Sequence, residues 1–525
     1  MGSVLDFGRC LVACLVALLL AVGVAAPACA ADEARIVVRR FKVVGNTILS
    51  REALRRTFQS FVGKPLALRD LKLAARKLRA AYRERGYVMA YAYVPPQEFL
   101  DDTVEIRVQQ GKYGKVKVDG NRYYSDGFIR RFFGPALRSQ YVLGSHMEHA
   151  LLVLNQFPDL HVQSVLEAKK NGTVDVTLKA KDAWPVHFTL DYDNFGARLV
   201  GRNRAGAGVA WGNAITEGDL LSLKATYPFE VSGAQPFLFG SYSIPVGHQG
   251  TRVEASYAHA KTLVGEELAL LGIEGNADIG SVRVSVNDRL DLRHAEVWYY
   301  ELVAKGVTNT ALNGKVAVSD DEVRTVGIGH RGSVASKDGA FQYAHNYEVI
   351  SGLGPLLGGS SGADKTSRVG ADDGFVRVTI EGVGTYRVNK DLFILMRLSG
   401  QLATTGLMVP EQYALGGPDN VRGYQQGEFL GDNGYACSAE LRQTVNQGRR
   451  SQVQLVLFVD HGGAALNKPL GGETANRDLT GAGLGLRAQL GPQLTLRMDE
   501  GFCVDPTFNL DKDKSKLNVQ ASYRF

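Results

Sequence analysis

The second half of the chain is a succession of short stretches in which apolar and polar residues alternate. Between Leu221 and Tyr227 the odd positions hold Leu221, Leu223, Ala225 and Tyr227, with Ser222, Lys224 and Thr226 between them. From Val376 to Ile380 the even positions are apolar, and Arg377, Thr379 and Glu381 take the other face. The last stretch sets Leu517, Val519, Ala521, Tyr523 and Phe525 against Asn518, Gln520, Ser522 and Arg524. A period of two is that of a strand with unlike faces. About sixteen such segments follow one another from His187 onward, an even number that predicts an antiparallel membrane barrel, apolar towards lipid and polar towards its lumen. A soluble sandwich would turn its polar face outward and would not end on an exposed Phe. Short turns at 388–390, 447–450 and 491–492 alternate with long connections at 351–374, 404–434 and 462–478. That asymmetry fits a barrel with both ends in the periplasm.

Ahead of residue 184 the pattern becomes a repeat of strands and helices. Phe41-Lys42-Val43-Val44-Gly45-Asn46 aligns with Val116-Lys117-Val118-Asp119-Gly120-Asn121, and Ser50 and Ser125 follow at the same offset. Thr103-Val104-Glu105-Ile106 likewise recurs as Thr173-Val174-Asp175-Val176. In the first unit Ser50 caps a short helix with Leu54 inward. Leu71, Ala75, Leu78 and Tyr82 then predict a helix from Leu68 to Arg85 that Gly86 stops. Strands are expected over Val88–Val94 and Thr103–Val108. The second unit places its helices over Asp126–Phe133 and His146–Phe157. Each unit is thus α+β, in the order strand, helix, helix, strand, strand. A three-stranded sheet with helices on one face leaves an edge strand free to pair with an extended chain in transit.

The first thirty residues belong to neither region. Arg9, an apolar run from Leu11 to Val24 and the small residues Ala28-Cys29-Ala30 predict a secretory signal peptide over 1–30. No later stretch approaches the roughly 20 apolar residues of a membrane helix. An exported chain of this kind is either soluble or a barrel. Cys10, Cys14 and Cys29 fall in the signal, which leaves Cys437 and Cys503, too few for a metal set; far apart in sequence, they read as a pair of free thiols, with a disulfide in an oxidising compartment as the alternative. Charge separates the halves: residues 31–183 carry 27 Lys and Arg against 16 Asp and Glu, while residues 184–525 carry 32 against 37. The basic front is either a solvated helical face or a docking surface for an acidic partner or lipid headgroups. Export, and the lack of any nucleic-acid motif, argue against nucleic acid as a partner.

Enzyme readings fare poorly. Gly358-Gly359-Ser360-Ser361-Gly362 has the spacing of a nucleophile elbow but lies in a Gly-rich loop, not on a strand-turn-helix. His146-Met147-Glu148-His149 lacks the spacing of a zinc-protease helix and a third ligand. No phosphate loop, catalytic cluster, metal set or cofactor site emerges, so the chain reads as a non-enzyme. The informative stretch runs instead from Leu415 to Tyr424, in the connection between the eleventh and twelfth predicted strands. It contains Val421-Arg422-Gly423-Tyr424. In the next strand Val453, Leu455, Leu457 and Val459 face lipid, so Asp460 falls on the lumen face, where a carboxylate and a loop arginine are natural partners.

The strand-helix-helix-strand-strand units, with Tyr82-Arg83-Glu84-Arg85-Gly86-Tyr87 and Pro95-Pro96-Gln97, resemble POTRA domains. Together with the barrel, the Val-Arg-Gly-Tyr stretch and Asp460, the chain resembles the two-partner secretion transporters, the family of haemolysin-activator and filamentous-haemagglutinin exporters. The resemblance implies a signal peptide over 1–30, POTRA domains over 31–111 and 112–183, and a sixteen-stranded transmembrane barrel over 184–525. It further implies that the sixth external loop, about 404–434, folds into the lumen with Val421, Arg422, Gly423 and Tyr424 at its tip and Asp460 as the partner of Arg422. The implied location is the bacterial outer membrane, with the POTRA domains in the periplasm. The implied partners are an unfolded exoprotein, of β-helical repeat type, the membrane lipid, and a barrel-assembly machinery that reads Tyr523 and Phe525. Within the superfamily the alternative is a barrel-assembly factor, and outside it a passive porin or receptor. One departure stands out: only Ala31 to Ala34 separate the expected cleavage site from the first strand, so the helical plug of many members is not expected here.

Overall fold

The computed structural model describes residues 34–99, 101–360, 365–371, 373–448, 450–504 and 514–525. The expected signal peptide, and part of the 358–362 stretch, lie outside the described residues. The first unit comprises β1 (Ile36–Val37), β2 (Arg40–Val44), α1 (Arg51–Phe58), β3 (Pro65–Leu66), α2 (Leu68–Glu84), β4 (Tyr91–Tyr93) and β5 (Thr103–Gln109). Its sheet runs β2-β5-β4, with β2 parallel to β5 and β4 antiparallel to it, so β2 and β4 are its edges. Ser50 caps α1 by accepting from the Ala53 N–H at 3.2 Å. Leu71, Leu78 and Tyr82 of α2 pack with Val104 and Ile106 of β5. The strand expected from Val88 is shorter, because Val88 and Met89 are taken up in a turn in which the Tyr87 and Ala90 N–H groups bond back to Tyr82 and Tyr87. The small β1–β3 pair was not foreseen.

Next come β6 (Lys112–Asp119), α3 (Asp126–Phe133), α4 (Gly144–Leu154), β7 (Leu160–Ala168) and β8 (Thr173–Asp182), with the sheet order β6-β8-β7. The longer helix starts earlier and ends earlier than the His146–Phe157 expected, since Asn155 leaves it to bond both backbone groups of Val162. The repeated Gly-Asn pair now has a cause. Gly45 and Gly120 adopt φ of +87° and +90°, and a Cβ there would lie 2.4 Å from the Val108 carbonyl oxygen and 2.6 Å from that of Ala180. Asn46 and Asn121 close the turn that follows by donating to the carbonyls of Leu49 and Tyr124.

The barrel strands are β9 (Val186–Asp193), β10 (Arg204–Gly212), β11 (Leu220–Pro228), β12 (Phe237–Val246), β13 (Thr251–Leu263), β14 (Glu274–Leu290), β15 (His294–Ala311), β16 (Val316–Ala335), β17 (Phe341–Gly352), β18 (Val376–Arg387) and β19 (Leu392–Ala403). Two short strands, β20 (Tyr413–Leu415) and β21 (Phe429–Gly431), pair only with each other. The barrel resumes with β22 (Asn433–Gln447), β23 (Ser451–Ala465), β24 (Asn476–Leu490), β25 (Leu494–Cys503) and β26 (Ser515–Arg524), which closes on β9. These are sixteen antiparallel strands, as the alternation predicts. Leu455, Leu457 and Val459 are half exposed on the outer face, whereas Val456, Phe458 and Asp460 are buried inside. The turn 213–219 meets the second POTRA-like unit. Glu217 accepts from the backbone N–H and hydroxyl of Ser125, the cap of α3, at 2.6 and 2.9 Å. Asp219 shapes that turn by accepting from the N–H groups of Ala214, Ile215 and Thr216 and from the Tyr242 hydroxyl. Burial pushes its carboxyl up, but these donors outweigh it and hold it below the ordinary value.

Candidate functional site

The segment from Ala403 to Asn433 joins the eleventh and twelfth barrel strands and is the sixth external loop. Its tip lies inside the barrel against β22 to β25. Arg422 is 2% exposed, and Asp460, on the lumen face of β23, is fully buried. The guanidinium meets the carboxylate as a two-toothed fork, Nε to Oδ2 at 2.7 Å and Nη2 to Oδ1 at 2.7 Å, while the Arg422 backbone N–H adds a third bond at 3.1 Å. Such planar pairing is open to arginine and not to lysine. The remaining donors reach Glu440 at 2.8 Å and Ser438 at 3.0 Å on β22. The Phe458 ring covers the cation, 3.4 Å from its central carbon.

Neighbouring charges set Asp460 apart from the other acids around Arg422, Glu440 and Asp499. Glu440 is also held by Arg442 at 2.6 Å, and Asp499 by Arg487 and Arg497 at 2.8 Å each. Among the described residues the Asp460 carboxylate meets Arg422 alone. Taking Arg422 away therefore strands Asp460, while the other acids keep a cation. Arg497 also reaches into the loop, to Asp419 at 2.5 Å and to the Pro418 carbonyl.

The rest of the tip is placed by close backbone approach. Val421 and Tyr424 are fully buried and pack with Leu415, Ala436, Ala464 and Leu479. The Tyr424 hydroxyl donates to the Thr480 carbonyl at 3.1 Å. On the wall, a Cβ at Gly481 would lie 1.9 Å from the Arg422 carbonyl oxygen, and one at Gly501 only 2.5 Å from the Gly423 nitrogen. Gly423 itself has φ of +102°. Two wall glycines and one loop glycine thus let the main chains touch.

Asp460 and the four motif residues are therefore brought together. Tyr523 and Phe525 are not part of this cluster: they lie at the seam, where the Phe525 N–H donates to the Phe188 carbonyl of β9 at 2.9 Å. Glu440, Asp499, Ser438, Phe458 and Arg497 were missed. A signal existed, since Glu440, Arg442, Asp460, Arg487, Arg497 and Asp499 all fall on lumen positions of four consecutive strands. Which of them would face Arg422 depends on register, which alternation does not fix. Cys437 and Cys503 form no disulfide with each other: Cys437 is exposed, and the half-buried Cys503 donates its thiol to the Gly423 carbonyl at 3.0 Å. His149 and Glu148 sit on α4 against the turn after β14, reaching the Leu290 carbonyl at 3.4 Å and the Leu292 N–H at 3.2 Å.

A family profile described as haemolysin secretion/activation protein ShlB/FhaC/HecB matches residues 172–488, and one described as POTRA domain, ShlB-type, matches residues 36–111. The chain belongs to the haemolysin secretion/activation protein family. It is similar to the heme/hemopexin transporter protein HuxB of Haemophilus influenzae strain 86-028NP, 25% identical over 433 residues that span 78% of this chain and 72% of the relative. In fold it resembles CdiB from Escherichia coli over the whole of both chains, with a TM-score of 0.75 at 17% identity. BamA from Haemophilus ducreyi lacking POTRA domains 1-3 is less alike, at a TM-score of 0.56 and 14% identity over 94% of this chain and all of that one. This member of the family is an outer-membrane transporter of two-partner secretion, with periplasmic POTRA domains and a barrel through which a secreted protein passes.

Proposed function

We propose that residues 416–428 form the closure of the export path, that the Arg422–Asp460 pair holds the closure in place, and that export requires it. The supporting observation is the burial of Arg422 in a socket where, among the described residues, Asp460 has no other partner. Confining a Gly-rich loop costs roughly 1 kcal/mol of backbone entropy per residue. An exposed ion pair, at about 0 to 1 kcal/mol, could not offset that. In a buried pair, removal of one partner costs about 3 to 5 kcal/mol because the other charge is stranded. The POTRA domains, over 31–111 and 112–183, take the unfolded exoprotein by strand addition to a sheet edge. That cargo is a β-helical repeat protein, and the chain performs no catalysis of its own. Tyr523 and Phe525 serve as the signal by which a barrel-assembly machinery inserts the barrel. The test is a cell that carries this chain with the exoprotein encoded beside it. Arg422→Ala is expected to leave a folded, inserted barrel and to trap the exoprotein in the periplasm. Normal surface display by that variant would overturn the proposal.

A further inference from the structure

The tip is not the only buried hold on the sixth loop. Both limbs of its stem are fixed as well, by ion pairs and hydrogen bonds of their own, while the hairpin between them packs beside the tip on β22 and β23. On the ascending limb the Glu411 carboxylate is fully buried between Lys305 of β15, at 2.5 Å, and Arg377 of β18, at 3.1 Å. On the descending limb Asp432, also fully buried, accepts from Arg368 of the fifth external connection at 2.6 Å and from the Asn467 N–H of the seventh at 2.6 Å. Its other oxygen takes the Leu407 N–H at 2.8 Å, which ties the two limbs together. A single amide joins both to the barrel: Gln401 of β19 donates to the Glu411 carbonyl at 3.0 Å and to that of Asp432 at 3.1 Å.

Between the limbs, Tyr413, Ala414 and Leu415 pair with Gly431, Leu430 and Phe429. The chain beyond this hairpin is bounded by Gly416 and Gly417 on one side, with φ of +95° and +115°, and by Gly427 on the other, with φ of +68°. Hinges are a few positions that absorb a large change in φ and ψ, and glycine does so at least steric cost. Arg422 and Tyr424 of the tip bond to β22, β23 and β24, and Arg497 of β25 reaches Asp419. Glu411 and Asp432 of the stem are held by cations of β15, β18 and the fifth connection and by hydrogen bonds from β19 and the seventh.

We propose that the sixth loop is anchored twice, and that transport displaces only residues 416–428 about their flanking glycines while the stem stays fixed to the external rim. Glu411, Asp432, Arg368 and Gln401 are then positioning residues that keep the tip aimed at its socket. An exported chain accordingly leaves past a stationary stem, and the loop does not swing out whole. The transport consequence rests on the closure proposed above, but the two-anchor statement does not, since it is tested without cargo.

The experiment is hydrogen exchange on the full chain in a lipid bilayer disc, read separately for peptides over 404–415, 416–428 and 429–433. Arg422→Ala is expected to speed exchange in 416–428 by about ten-fold or more and to leave the stem peptides as slow as before. Asp432→Asn and Arg368→Met are expected to speed the stem peptides, with Arg368→Lys restoring part of the protection. Unchanged exchange over β14 to β16 reports that the barrel is folded, and Gln401→Leu replaces any variant that fails this control. Loosening of the stem by Arg422→Ala, or no loosening by Asp432→Asn, would overturn the proposal. Failure of Arg422→Ala to block secretion would instead count against the closure reading and leave the two anchors standing.

Discussion

Residues 416–428 are placed by particular side chains: one arginine, a carboxylate that among the described residues meets that arginine alone, an aromatic lid and two wall glycines on which nothing larger fits. The first POTRA sheet presents something of another kind, edge strands β2 and β4, each paired in that sheet on one side only. The closure proposed for this loop must recognise one chain, its own, and side-chain chemistry gives that selectivity. A domain that takes up an unfolded polypeptide must accept many sequences, and backbone pairing reads none in particular. The comparison predicts that the loop fails on small, local changes, while the POTRA surface responds mainly to conditions that act on charge at a distance.

Among changes that leave the Arg422–Asp460 pair itself intact, the largest effect should come from Gly481→Ala, which alters no charge. Its methyl group would lie 1.9 Å from the Arg422 carbonyl oxygen, so the tip must leave the wall. Secretion should fall nearly as far as in Arg422→Ala, with external protease now cutting within 416–428. Wild-type secretion from this variant would break the claim that the tip sits by backbone contact. Arg422→Lys comes next: a lysine keeps the charge but cannot form the fork, and secretion should drop by about ten-fold. Full activity would mean that charge alone suffices, which would remove the contrast with the POTRA surface.

The POTRA side should show a weaker, graded response. Residues 31–183 carry 27 basic against 16 acidic side chains. Association of the whole transporter with its unfolded cargo should slow by a few-fold as salt shortens the Debye length from about 30 Å to about 8 Å. A rate indifferent to salt would leave backbone pairing as the sole attraction. The smallest effect concerns the turn 213–219 beneath α3. The Asp219 carboxyl is held below its ordinary value of 3.8, so its contribution is fully present above that pH and is lost as pH falls through the lower, folded value. Exchange of the Ala214 to Thr216 amides should therefore be flat from pH 7 to about 4, once intrinsic rates are removed, and rise only below that. A rise beginning at neutral pH would show that another group governs the turn.

Much of this was legible in the sequence, for reasons that differ by region. The strand count and the lumen position of Asp460 follow from a period of two, which any change of register would invert. The repeat also announced itself, because Gly45 and Gly120 are needed where no Cβ fits. Helix ends were less legible: α4 stops early because Asn155 bonds to Val162, a contact between segments that local spacing does not contain. The same limit hid the socket. Glu440, Asp499 and Ser438 come from two strands whose facing residues depend on barrel stagger. Gly481 and Gly501 looked like ordinary small residues until the loop lay against them. Gln401 carries no charge and joined no motif, yet it holds both limbs of the stem.

The central claim is that Arg422 and Asp460 act as one unit that keeps the loop in the lumen. It is tested most directly by a double-mutant cycle in secretion. Arg422→Ala and Asp460→Ala should each reduce surface delivery by about 100-fold or more, in line with a stranded buried charge, and the double variant should be no worse than either single one. Effects that multiply in the double variant, as they do for independent sites, would contradict the account.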